Sequence, residues 1–150
     1  MKVLALDIGK RRIGVAVSDE LGLLARPLQT VQSVSLNVDV KRIAELAREL
    51  GAERVVVGDP LHMSGDPSTM SNRARKFGET LQAASGLPVE YIDERLTSVE
   101  AERILLDQGV HPRKVREQID AVAASVILQS YLNGKKPPRS PGTPLEDRYW

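Results

Sequence analysis

The chain contains no cysteine, which removes disulfide bonds and thiolate chemistry in one step. Aromatic residues make up only 3%, too few for base stacking to be a main source of affinity for a nucleic acid. An excess of either charge is missing as well: 21 Lys and Arg stand against 20 Asp and Glu, so the chain is no polycation. Any phosphate-binding surface must therefore come from local clustering. No apolar run approaches the roughly 20 residues that a membrane span needs. The sequence reaches strand at once, with no cationic and apolar leader before it. These absences point to a soluble, cytoplasmic protein that does not engage a membrane. A length of 150 residues at 41% hydrophobic content fits one domain with a real core.

Among what is present, the stretch Met1 to Asp19, MKVLALDIGKRRIGVAVSD, organises the rest. Val3-Leu4-Ala5-Leu6 is too short for a lone helix and is soon followed by Gly9, so it reads as a buried strand. Ile13, Val15 and Val17 alternate with smaller residues as a returning strand does. Asp7 then stands in or at the end of a core strand, beside a tight hairpin tipped by Lys10, Arg11 and Arg12. An ionised carboxylate among strand hydrophobes costs several kcal/mol unless paired, hydrogen-bonded or bound to a metal. The plainest partner is one of those three cations.

A third strand is expected from Leu21 to Thr30, completing an antiparallel meander. Val40, Ile43, Leu46, Ala47 and Leu50 recur at helical spacing before Gly51 and predict an amphipathic helix over 36–50. Val55-Val56-Val57 then reads as a central strand reached by a crossover, making a parallel βαβ unit. The turn-rich segment 59–67 lies at the end of that strand, where open α/β sheets place their sites. It holds His62, although an isolated loop histidine is more often neither ligand nor base. A helix over 68–84, with Asp66 as a candidate cap and Pro67 in its first turn, leads to a fifth strand over 89–92. Thr97 and Glu100 fit a capping box for a helix reaching Gln108. A final, largely buried helix over 119–132 has Asp120 in its first turn. The proline-rich segment 135–150 is expected to be a disordered tail, leaving 1–134 as the folded domain.

Three carboxylates stand out by position: Asp7 in the first strand, Glu94 just past the fifth, and Asp120 at the start of the last helix. Each has a dull reading, because Asp120 would complement a helix dipole and Glu94 would pair with Arg95. Together, crowded carboxylates repel unless a divalent cation neutralises them. Oxygen ligands without cysteine favour Mg²⁺ or Mn²⁺ over zinc. Such ions can activate water and steady the leaving oxygen in phosphodiester hydrolysis, which makes a metal-dependent nuclease the chemistry to expect. Lys10, Arg11, Arg12, Arg113, Lys114 and Arg116 would hold the phosphate backbone. Arg73, Arg75 and Lys76 form a further cationic cluster, for which a solvated face is the ordinary reading.

The hairpin LDIGKRRIGVAVSD, the segment VVVGDP, the motif DERLTS at 93–98 and IDAVAASVILQSYL at 119–132 closely resemble the YqgF (RuvX) family, relatives of the RuvC-type Holliday junction resolvases. The resemblance extends in order to about residue 134. It implies an RNase H-like α/β fold, a five-stranded mixed sheet of order 3-2-1-4-5 flanked by helices. It also implies processing of the 5′ end of pre-16S ribosomal RNA, with resolution of branched DNA as the other activity. Carried over by motif, the acids are Asp7, Glu94 and Asp120, accompanied by Arg12 and Arg95. Family members usually have an apolar residue where this chain has Asp59, and the resolvase cousins keep their second acid there. Asp59 is thus either a further metal contact or, slightly favoured, a turn cap. Glu117 precedes Asp120 by three residues, the spacing of a further acid in the cousins, and becomes a candidate outer ligand.

Two other classes compete. Actin-like ATPases open with a similar Asp-x-Gly hairpin, but they close two such lobes around a nucleotide and 150 residues provide one. A ribosome-assembly factor that binds RNA without turnover would use the same acids for a structural metal. Phosphate contacts carry no sugar identity, so structured RNA and branched DNA are both open as partners. A homodimer follows if the substrate is a junction, which needs two sites facing two strands.

Overall fold

The computed structural model describes residues 1–60, 68–94 and 97–134. The side chains of 97–99, 116 and 117 lie outside that description, as do His62, Asp66, Pro67, Arg95 and the tail from 135. The elements run β1 (Val3–Ile8), β2 (Arg12–Ser18), β3 (Ala25–Gln32), α1 (Leu36–Leu50), β4 (Arg54–Asp59), α2 (Thr69–Ser85), β5 (Val89–Asp93), α3 (Thr97–Asp107) and α4 (Pro112–Gly134). One mixed sheet has the expected order β3-β2-β1-β4-β5. β1 pairs antiparallel with β2 and parallel with β4, and β5 extends the parallel half.

Alternation along the strands divides the apolar residues between two faces. Leu4, Leu6, Ile8, Ile13, Val15, Val17, Val55 and Val57 pack against α1 and α2. Val3, Ala5, Ala16 and Val56 face α4 through Ala124, Ile127 and Leu128. The α4 face is therefore floored by small residues, and Gly14 and Gly58 belong to the same alternation. At Gly14 a Cβ would stand 1.9 Å from the backbone oxygen of Asp120, so α4 lies directly on the backbone of β2.

Three boundaries differ from expectation. β3 begins at Ala25, because the Asp19 carboxylate accepts the backbone N–H groups of Leu23 (2.7 Å) and Leu24 (3.2 Å), and Gly22 takes φ +70°. These bonds hold the Asp19 carboxyl below its usual range and turn an apolar stretch into a solvent-facing loop. α2 starts at Thr69 with Ser68 as its cap, the hydroxyl accepting the Ser71 N–H at 3.0 Å. α4 begins at Pro112, so Asp120 lies well inside the helix and the helix-dipole reading of it fails. Polar residues at 113, 114 and 118 hid the first two turns, which the short α3–α4 connection and packing against α3 stabilise.

Candidate active site

Asp7 lies at the C-terminal end of β1 on the face toward α4, opposite Gly14 across the hairpin. Glu94 follows the last residue of β5, and its backbone N–H donates to the Asp59 carbonyl at 3.2 Å. From there its side chain crosses β4 to reach β1. Gly58 makes the crossing feasible: a Cβ there would stand 2.7 Å from the Glu94 carboxyl carbon and 2.6 Å from Ile127 Cδ1. The Asp7 and Glu94 carboxyl groups are hydrogen-bonded to each other.

Two carboxyl groups in contact cannot both be ionised cheaply. Burial raises Asp7 above the ordinary range, with the neighbouring charge of Asp120 adding to the rise and the bond from Glu94 opposing it. Burial also raises Glu94, reinforced by Asp7 and then by Asp59 and Asp93. The pair thus holds a proton at neutral pH. Asp120 contributes to the same field while its Oδ2 accepts the Arg12 Nε at 2.7 Å. Of the hairpin cations that offered Asp7 its plainest partner, Arg12 instead reaches α4, and the carboxyl that meets Asp7 follows β5. Among the described residues no three Asp, Glu or His side chains stand as a ready metal cluster, since Asp120 is turned to Arg12.

The donor set nonetheless fits a hard divalent cation. Asp7 and Glu94 are held together against burial and mutual repulsion, and a cation would relieve both costs by replacing the shared proton. A pH dependence follows. In the folded chain the pair binds a proton that the unfolded chain has released above the ordinary carboxylate range, so stability falls as pH rises through the raised values. Chemical denaturation with EDTA present should show wild-type stability declining from about pH 5 toward pH 9 relative to Glu94→Gln. The difference should be a fraction of the ~1.4 kcal/mol per pH unit that one fully transferred proton gives. Parallel profiles would show that the pair is not protonated.

Asp59, weighed as a metal contact or a turn cap, is held by α2. Alternation turns its side chain to the opposite face from Gly58, where it is 2% exposed and accepts the Ser71 hydroxyl together with Arg75 Nη2 at 2.6 Å and Nε at 3.1 Å. Arg75 also stacks over Tyr91, 4.8 Å from the ring centre. Both carboxylate oxygens thus bond to α2, outside the Asp7–Glu94 pair, and the turn that Asp59 was weighed as capping lies outside the described residues. Arg75 is half-exposed, which lessens the energy of the pair, but removing it leaves a buried charge with one neutral partner, Ser71, among the described residues. Arg75→Ala should cost about 2 kcal/mol, lowering the melting temperature by roughly 4–8 °C. An unchanged melting temperature would mean that Asp59 is satisfied without Arg75.

Of the expected cations, Lys10, Arg11 and Arg12 lie exposed at the hairpin tip beside the acids, and Arg113 and Lys114 are exposed in the first turn of α4. Arg95, and the side chains of Arg116 and Glu117, lie outside the described residues; the helix itself does extend back through 117. Sequence reasoning missed Gly14 and Gly58. The signal was a glycine interrupting each apolar strand on the face that carries Asp7.

A five-stranded mixed sheet of this order, with Asp7 at the end of its central strand, Glu94 just past the edge strand β5 and Asp120 on the helix packed across them, is an RNase H-like fold. The sequence profile of the RuvX family, described as Holliday junction resolvase, matches residues 1–134, and the chain belongs to that family. A protein of Chloroflexus aggregans, bearing the name "Putative pre-16S rRNA nuclease", is 47% identical over 136 residues, covering 91% of this chain and 96% of that one. A protein of the same name from Syntrophus aciditrophicus is 48% identical over 133 residues, 89% of each. Among solved structures, Thermus thermophilus RuvC in complex with a Holliday junction superposes with a TM-score of 0.57 at 18% identity, covering 88% of this chain and 93% of that one. The fowlpox virus resolvase bound to junction DNA gives 0.56 at 11%, covering 89% and 97%. At such identities the two structures establish the fold alone.

Proposed function

We propose that the chain is a metal-dependent endonuclease that hydrolyses nucleic-acid phosphodiesters and processes the 5′ end of pre-16S ribosomal RNA in the cytoplasm. The contact between Asp7 and Glu94, brought from distant stretches into a half-buried site beside Asp120, carries this reading. Such a contact costs stability, and carboxyls perturbed by burial and by one another gather where a site uses them. The names of the relatives direct the choice of RNA.

Asp7, Glu94 and Asp120 would hold the cation, Mg²⁺ or Mn²⁺, with Glu117 a candidate outer ligand. When bound, such an ion stabilises charge developing on the phosphate oxygens and favours deprotonation of water. The other tasks fall to the protein. Arg12, held by Asp120, and its neighbours Lys10 and Arg11 line the rim where a backbone phosphate would approach. Arg113 and Lys114 extend the cationic surface along α4, with Arg95 and Arg116 assigned to it from sequence. Gly58 keeps the floor low enough for Glu94 to reach Asp7.

Incubating purified protein with an end-labelled precursor rRNA fragment and a labelled four-way DNA junction, each with Mg²⁺, Mn²⁺ or EDTA, tests this reading. Site-specific cleavage of the RNA that EDTA abolishes is the expected outcome. Cleavage of the junction alone would move the substrate to branched DNA and call for a two-fold dimer. Binding with no cleavage under any ion would reduce the protein to an assembly factor.

A further inference from the structure

On the other side of the hairpin from the acids lies a cleft that the site described above does not use. Its volume is about 340 Å³, within the range of ligand sites, and it opens at the same end of the sheet as Asp7. Ile8 and Ile13 of the hairpin strands and Phe77 of α2 form an apolar floor. The rim carries Lys10 from the hairpin tip and Arg73 and Lys76 from α2, all exposed. The two α2 cations are three residues apart and so share a helix face. Arg73 Nη2 also donates to the Lys10 carbonyl at 3.1 Å, tying helix and hairpin into one wall.

The cleft holds one acid, Asp39, and it is already satisfied. Its carboxylate accepts the Ser33 hydroxyl at 2.5 Å and the Val34 N–H at 2.9 Å, bracing the opposite wall between β3 and α1. The rim therefore presents three cations against one internally committed carboxylate. No salt bridge joins Lys10, Arg73 or Lys76 to an acid among the described residues. In a chain of net charge +1, gathering three cations at one opening concentrates positive potential there.

We infer that this cleft is a second phosphate-backbone subsite, in which Lys10, Arg73 and Lys76 grip the nucleic acid away from the bond to be cut. The cleft offers cations but no exposed aromatic ring, because Phe77 is 3% exposed, so it suits backbone phosphates and not bases. Lys10 belongs to both sides: it follows Asp7 by three residues and lines the cleft, so one strand draped over the hairpin meets the acids on one face and the α2 cations on the other. This assignment deepens the nuclease reading, on which the identity of the ligand rests. A subsite on the far side of the hairpin would select substrates long or folded enough to pass over it.

Binding measured apart from cleavage tests it. Fluorescence anisotropy of a labelled four-way DNA junction and a labelled base-paired RNA hairpin, in EDTA and over a series of salt concentrations, should compare wild type with Arg73→Gln/Lys76→Gln. Affinity for whichever nucleic acid the wild type binds should fall on the order of tenfold at low salt, and the plot of log K against log salt should flatten by about 1–2. Because Arg73 also ties the hairpin, Lys76→Glu serves as a second variant that leaves that bond in place; it should lose affinity, and Lys76→Arg should keep it. Loss of affinity with a flatter salt slope supports the subsite even if Asp7→Asn retains cleavage and the nuclease reading fails. Unchanged affinity and slope in both charge-removing variants overturns the subsite while leaving that reading intact. A wild type that binds neither nucleic acid overturns it too.

Discussion

Asp7→Asn protein is expected to fold as the wild type does, to melt at the same temperature or higher at pH 8 without metal, and to cleave roughly 10³-fold more slowly. The stability half of this result follows from the site's electrostatics. Burial and the neighbouring carboxyls raise the Asp7 and Glu94 pKa values, so the ionised pair disfavours the folded state above the ordinary carboxylate range. Asparagine is nearly the same size, stays neutral and can still hydrogen-bond Glu94. The activity half follows from the charge the site would concentrate. A divalent ion contributes several kcal/mol to stabilising a phosphoryl transition state, and each 1.36 kcal/mol is a tenfold change in rate. Losing a central ligand should forfeit most of that. Steady-state cleavage and thermal melts on one preparation decide the matter. Asp7→Asn retaining a tenth or more of wild-type activity would remove Asp7 from the chemistry, and a melting temperature falling by several degrees would assign it a structural role.

Gly14→Ala should be the most damaging single methyl group in the domain. Its Cβ would lie 1.9 Å from the Asp120 backbone oxygen and 2.3 Å from the Asp120 carbonyl carbon, so no side-chain rotation relieves the clash. α4 would have to lift from β2, which opens the Ala16, Ala124 and Leu128 packing and moves Asp120 with its Arg12 partner. Overpacking a well-filled interior costs typically 1–3 kcal/mol, and a backbone obstacle belongs at the upper end. About 3 kcal/mol should lower the melting temperature by roughly 6–12 °C. Cleavage should fall even at temperatures where the variant is folded, since the displaced helix carries one of the three acids. A melting temperature within about 2 °C of wild type would show slack between α4 and β2 and would weaken the account of how Asp120 is placed.

These two residues mark how much of the site was legible beforehand. Asp7 announced itself, because a carboxylate inside an apolar strand is costly and therefore conspicuous. Gly14 did not, since a glycine in a strand has many explanations and only the helix lying across it selects one. The start of α4 was misplaced because its first turns are polar and their support comes from α3. β3 was extended too far because Leu21, Leu23 and Leu24 look like strand residues, yet the Asp19 carboxylate folds them into a loop where they remain 62–76% exposed. Asp59 was weighed as a ligand or turn cap, while the period-two alternation of β4 had already turned it toward α2.

Local order was a property of the sequence: strand and helix periods and glycine stops placed the elements, position along them singled out the three acids, and the sheet order followed from the family resemblance. Which partners those acids take was decided in three dimensions. Glu94 meets Asp7 because β5 ends beside β4 and Gly58 lets its side chain cross, and Asp120 takes Arg12 because α4 rests on Gly14. Contacts between residues so far apart along the chain depend on the separation of a helix from a sheet to within a methyl group, and that distance is set by the packing of both faces at once.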